Sequence, residues 1–316
     1  MHRHRVFFRF GLPLALAFAL AAAAGRAAQS AAPLYGAVVA DSDAQSAAQS
    51  AMRDVLVRLT GARDAGNDPA LAGLVTDARR YVQSQRRTTS GTTQVLFDAT
   101  TLRNALAAAG RSVWGPERPL VWVQLPAQER SEAAALRARL SAAAQARGLP
   151  ILIASADAAP GAVSSEVALA AARRAGANAA LTAQISPSDP QSLEWTLSAP
   201  TGDGHWVGTA ELAVDGTTDA LVQAAQALEA QPLADVACEV SGVADLSSFA
   251  AVLSALRNTP EVATVTVREV DAGSLQLVLR ARGGSAELTR ALAADRLRVA
   301  GTDARGVLEL RYQAAP

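Results

Sequence analysis

The chain alternates between two hydrophobic rhythms. One recurs every three to four residues and predicts helices. The other recurs every second residue, or runs unbroken for a few residues, and predicts strands. Leu120–Leu125 (LVWVQL) is the most strand-like run of the first half. Before it, Pro33–Ala40 reads as a strand. Ala44, Ala48, Ala51, Val55 and Leu59 keep one helical face, with Asp41 or Ser42 as the cap and Thr60-Gly61 as the end. Asp68-Pro69 opens a second helix carrying Leu71, Leu74, Val75, Ala78 and Val82. Thr93–Phe97 is a strand, and Asp98 caps a third helix, Leu102–Ala109, that stops at Gly110. The expected first unit is therefore β-α-α-β-α-β and closes on Leu120–Leu125.

After that strand the rhythm predicts a helix from Ser131 to Arg147, a strand over Leu149–Ala154, a loop over Asp157–Gly161 and a helix from Ser164 or Ser165 to Gly176. A strand follows over Gly176–Ile185, then two strands, Leu193–Ser198 and Trp206–Val214, around the hairpin sequence PTGDG (Pro200–Gly204), then a helix over Thr217–Ala230. From Asp235 the order is β-α-β-β-α-β, with strands Val236–Gly242, Val262–Val270, Ser274–Ala281 and Val307–Tyr312 and helices Leu246–Leu256 and Ala286–Ala294. That is the ferredoxin-like order, which hosts many functions and specifies none. The expected class is α/β (α+β), divided as a leader over 1–28, an N-terminal α/β domain over 33–126, a middle α/β domain with a β-hairpin over 127–232 and a ferredoxin-like module over 235–316.

The first 28 residues stand apart. Arg3, Arg5 and Arg9 precede an apolar run over Gly11–Ala24, and small residues follow. This is the pattern of a cleaved secretory signal, too short for an ordinary membrane span. The expected location is the periplasm. Without those residues 25 arginines face 29 acids, a net charge near −4. That argues against nucleic acid as a partner. The chain has no lysine, so all 29 basic residues are arginine. No second apolar run is long enough to span a membrane. The single cysteine, Cys238, alternates with Val236 and Val240 and reads as a small core residue.

Several segments carry a resemblance. LYGAVV, AMRDVLVRLTGARD, DPALAGLV and VLFDATTLRNALAAAGRSVWGPERPLVWVQL, over about Leu34–Pro126, resemble the bacterial secreted family known as domain of unknown function 2066. The helix ending LVRLTG and the entry WGPERPLV are its specific parts. The resemblance implies an exported protein of Gram-negative bacteria and brings no catalytic residues. GANAALTAQI (Gly176–Ile185), followed by a tryptophan-bearing hairpin, resembles α/β domains of envelope accessory proteins such as the amino-terminal domain of the Tol translocation protein.

Tests for chemistry yield little. His205 is the one histidine after the leader and reads as a turn residue; no G-x-S-x-G elbow presents a serine to it. His205 and Cys238 are too few for a zinc site. A phosphate-binding P-loop needs a lysine, and there is none. Asp64 and Asp68 in DAGND hint at an oxygen-ligand cation site, but lack the spacing of a calcium loop. No cofactor and no metal is expected. The candidate contact edge is Arg58, Thr60, Gly61, Trp114, Arg118 and Pro119. Its arginines, Arg58 and Arg118, either serve in capping and a structural ion pair or form an edge that recognises an anion or a partner. Trp195 and Trp206 are expected to face each other across the hairpin. The sequence favours a non-catalytic envelope accessory protein with a protein partner. The alternatives are an unrecognised cell-wall-active hydrolase and a binder of a small anionic ligand.

Overall fold

A computed structural model describes residues 34–40, 43–115, 118–126, 130–154, 164–189, 192–271, 273–292 and 297–313. The leader lies outside them, as do Asp41, Ser42 and the loop expected over Asp157–Gly161. Eight helices and thirteen strands, arranged in three sheets, occur among the described residues, so the class is mixed α/β as expected.

The first unit holds β1 (Gly36–Val39), α1 (Ala44–Thr60), α2 (Ala72–Thr76), β2 (Val82–Arg87), β3 (Thr93–Phe97) and α3 (Ala99–Ala108). The antiparallel sheet runs β1-β3-β2. α1 lies on it through Ala47, Ala48, Ala51, Met52, Val55, Leu56 and Leu59, all fully buried. The alanines let the helix axis approach the strands closely. The cap is Asp43, whose carboxylate accepts from the Ser46 amide. Gly61 ends the helix in the left-handed conformation, at φ 72°. Asp98 caps α3 as expected.

Two expectations for this unit are corrected. The helix expected to run through Val82 breaks into 3-10 turns at Pro69–Leu71 and Ala78–Tyr81 around the short α2. Val82–Arg87 is instead a strand, paired with β3 from Val82↔Phe97 to Arg87↔Thr93. Five of its six residues are exposed, so no alternation marks it. Its strand state comes chiefly from backbone pairing with β3, with only Val82 packed against the core. The second correction concerns Leu120–Leu125. Its strand β4 (Val121–Gln124) does not close the first sheet. It pairs in parallel with β5 (Ile151–Ile153) on one side and β6 (Ala179–Ile185) on the other, with all four residues buried.

The middle unit is therefore built around β4, in the order β5-β4-β6-β7-β8, with β7 spanning Leu193–Ala199 and β8 Gly202–Gly208. α4 (Arg130–Arg147) and α6 (Ala210–Glu229) contribute Leu140, Ala213, Val214 and Leu221 to a core with Val121, Val123, Leu181 and Trp195. α5 (Ser165–Arg174) covers Trp122 and Ala180 on the opposite face. Trp195 and Trp206 pair across the hairpin as expected. The strand expected over Trp206–Val214 ends at Gly208, because Thr209 caps α6 by accepting from the Leu212 amide. His205 lies within β8, opposite Thr196, rather than at a turn.

The last unit comprises β9 (Leu233–Val243), α7 (Leu246–Arg257), β10 (Val262–Asp271), β11 (Gly273–Arg282), α8 (Gly284–Leu292), β12 (Leu297–Thr302) and β13 (Leu308–Tyr312). The order β10-β11-β9-β13-β12 extends the expected ferredoxin-like order by β12. That strand reverses the chain before it re-enters the sheet, so β13 lies parallel to β9. Cys238 is buried, and burial pushes its thiol up to about 12, which makes it an unreactive core residue as expected. Among the described residues no helix is long and apolar enough to cross a membrane.

Candidate functional site: an arginine-bonded joint between the first two units

α1 and α4 each end in a glycine with positive φ, Gly61 and Gly148, and each leaves terminal carbonyls to be satisfied. The two helix ends meet, and arginines take up those carbonyls. The chain first crosses between the units at Trp114. Its amide donates to the Leu59 carbonyl at 2.7 Å, while its indole packs in the middle unit's core.

Arg118 follows. Its guanidinium lies 4.3 Å from the centroid of the Trp114 ring. It donates to the carbonyls of Gly115 (3.2 Å), Gly148 (2.6 Å), Trp114 (3.1 Å) and Arg58. One side chain thus ties the end of α1 to the end of α4. Burial, together with the nearby Arg58 charge, brings Arg118 down to about 10 although Tyr35 opposes the shift; it stays charged at neutral pH. Arg58, in the last turn of α1, is buried and donates to the Gly36 carbonyl of β1. Burial lowers its pKa, and Asp54 partly offsets this. Thr60 donates to the Leu56 carbonyl and accepts from the Ala62 amide.

Of the expected contact edge, Arg58, Thr60, Gly61, Trp114 and Arg118 lie at this joint, but the first four are buried and Arg118, like Pro119, is half-buried. They form a joint inside the chain. Arg118 directs its donors to backbone carbonyls rather than to an anion, which is the capping role left open for it.

The sequence reading missed the second half of the joint. Arg147, with a side chain only 5% exposed, donates to Asp215 at 2.7 Å, to Asp219, and to the Gly61 carbonyl at 2.7 Å. Arg63, from the first unit, reaches the other oxygen of Asp215. The signal was present as two acids one helical turn apart on α6, a spacing that suits one guanidinium. A Cβ at Gly148 would overlap the Arg118 guanidinium, and one at Gly61 would overlap Val222, so both glycines are fixed by contact as well as by φ.

Asp64 and Asp68 sit beside this joint. Asp68 caps Ala70 and pairs with Arg111, which occupies its carboxylate. Among the described residues no group of three or more His, Cys, Asp or Glu side chains could hold a metal ion. A cleft of about 500 Å³ opens here between the first unit and α6.

A family model described as a domain of unknown function (DUF8605) matches residues 28–115. This is not the family 2066 that the motifs resemble. The match ends at the crossing between the units, just before β4. No curated protein and no solved structure matches the chain.

Proposed function

We propose that this is an exported, non-catalytic accessory protein of the cell envelope that works in the periplasm by holding a protein partner. Export rests on the basic, apolar and small-residue pattern of the first 28 residues. The observation that carries partner binding is the exposed edge of the last unit. β10 is a ten-residue edge strand whose Val267 and Val270 are 37% and 61% exposed. Beside it the sheet face away from α7 and α8 presents polar side chains, among them Glu239, Gln276, Arg280 and Arg311. An open edge offers unpaired backbone groups to an added strand, and pockets or apolar positions along it supply specificity.

The test is photo-crosslinking of the protein in its own envelope fraction, comparing the native chain with a V267R/V270R variant. The expected outcome is one defined partner, lost in the variant. A partner that survives the substitution removes β10 as the surface. If the purified protein turns over an envelope substrate and a single substitution abolishes that turnover, the non-catalytic reading is overturned. Amino-terminal sequencing of the periplasmic form checks export; an intact leader on membrane-bound protein would contradict it.

A further inference from the structure

We infer that β2, an open edge of the first unit's sheet, takes up an extended acidic segment of another protein as an added strand. This edge is separate from β10 and goes beyond the partner contact proposed there. In the order β1-β3-β2, β2 pairs with β3 alone among the described strands, so the other side of its backbone is open to an added strand.

Charge decides the occupant. Arg79 and Arg80 lie in the 3-10 turn Ala78–Tyr81 that leads into β2, and Arg86 and Arg87 end the strand. All four are exposed. From Ala78 to Phe97 the sequence holds no acid. Two acids stand near. Asp77 pairs with Arg80 at 3.4 Å, and Asp43 caps α1 beside Ala44, whose carbonyl accepts from Gln85. Arg79, Arg86 and Arg87 form no ion pair with any described residue. An excess of positive charge therefore faces solvent here, on a chain that is net negative beyond its leader.

The layout selects an extended occupant. The two arginine pairs are separated by roughly the length of the strand, on the order of 15–20 Å. A small anion reaches one pair or the other, whereas an acidic chain lying along the edge reaches both. Arg87 stands opposite Thr93 and Arg86 opposite Gln94, so their side chains leave opposite faces of the sheet. A flat anionic membrane meets one face at a time; an added strand meets both. Gln83, Ser84 and Gln85 between the pairs are uncharged and leave the backbone free to pair. A second copy of the chain brings like charges to the same edge, which opposes self-pairing. Edge arginines thus discourage neutral and basic strands and admit an acidic one.

The experiment is fluorescence anisotropy of the full chain with the labelled peptide DEVTVTVEED, which has acids at both ends and a strand-forming centre. DEVTPTVEED, whose proline removes a central amide, and RRVTVTVRRR are the comparison peptides. Saturable binding of the first is expected, weakening as salt is raised. The proline peptide is expected to bind at least fivefold more weakly and the basic peptide not at all. R86E/R87E is expected to weaken binding at least tenfold, and the milder R86Q/R87Q at least threefold, with circular dichroism spectra matching the native protein. V267R/V270R is expected to leave binding unchanged. The proposal is overturned if the acidic peptide does not bind, if the proline peptide binds equally well, or if both arginine variants bind as the native chain does. Loss of binding in V267R/V270R would also overturn it, placing the peptide at β10 and leaving the partner contact there intact. Capture of phosphatidylglycerol vesicles without binding of the peptide would overturn it in favour of a membrane.

Discussion

The molecule has two joints, and they are built differently. Between the first and middle units, two helix ends, a buried tryptophan and three arginines interlock, and Arg118 alone bonds carbonyls from both sides. Between the middle and last units, α6 ends at Glu229 and β9 begins at Leu233, so the link is Ala230–Pro232. The bonds there are Arg282 to the Glu229 carbonyl at 3.3 Å and the Gly283 amide to the Pro232 carbonyl at 3.1 Å. The first joint has its apolar centre inside the middle unit's own core. The last unit closes a separate core around Val240, Leu277 and Leu310. The first unit also closes its own core, so the difference teaches that a linker tryptophan seated in the neighbouring core and buried polar bonds between helix ends couple two units, whereas adjacency in sequence does not.

The protein carries its own reporters for this comparison. All four tryptophans lie in the stretch from Trp114 to Trp206, and the single cysteine is in the last unit. Tryptophan fluorescence follows the jointed pair, and Cys238 labelling follows the last unit.

The largest expected effect is that of Arg118→Ala. It strips charged donors from buried carbonyls at two helix ends and is expected to cost about 3–5 kcal/mol. The tryptophan transition in urea moves to lower concentration, while the Cys238 labelling midpoint stays in place. A joint shift of both probes would break the comparison. Arg118→Lys does not restore the loss, because a single ammonium cannot reach the carbonyls of Arg58 and Gly148 in one plane.

Next comes Asp215→Asn, which removes the charge shared by Arg147 and Arg63. About 1–3 kcal/mol is expected, again in the tryptophan transition alone. Equal destabilisation by Asp219→Asn is not expected, since Asp219 is 56% exposed against 20% for Asp215.

A smaller effect is expected from Arg282→Ala at the second joint. One long bond from a half-buried residue is lost, and the change stays within about 0.5 kcal/mol on either probe. A shift comparable to that of Asp215→Asn would show that the second joint is as tight as the first.

The smallest effect concerns the exposed pair Arg139–Glu211, which joins α4 to α6 outside the joint. Hydrogen bonding from Arg139 holds Glu211 down at about 2, below its ordinary 4.5. A lowered carboxylate stabilises the fold above its unfolded pKa. That contribution is lost as pH falls from about 4.5 through 2. Because both partners are half exposed, Glu211→Gln is expected to change stability by about 0.3 kcal/mol or less at pH 7, and by less still at pH 2. Urea midpoints of both proteins at the two pH values check the sign.

Much of the fold was legible along the chain. Asp98 capping α3, Gly61 ending α1 and Thr93–Phe97 as a strand all follow from local backbone chemistry, and the structure shows each of them. β2 was not legible, because its residues face solvent and its partner strand supplies the order. β12 escaped for a different reason: its apolar alternation covers only Leu297 and Val299 before Ala300-Gly301, where the pairing with β13 shifts register. The candidate joint was half legible. Arg58 and Arg118 were marked by lying at a helix end and before a strand proline. Arg147 and Asp215, 68 residues apart, were not paired in the sequence reading.

What the sequence determined alone is set within a turn or two: caps, helix faces, strand alternation and the class they add up to. Backbone hydrogen-bonding needs and side-chain periodicity act over a few residues, so they can be read locally. What only the tertiary structure decided is where β4 pairs and what the arginines do. A strand buried on both faces fits equally well at the edge of one sheet or the centre of another, and its sequence is the same in either place. A guanidinium near a helix end serves an anion, a partner or a carbonyl according to what the fold brings within reach. Here the fold brings the ends of α1 and α4 together, and Arg118 closes the joint instead of opening a surface.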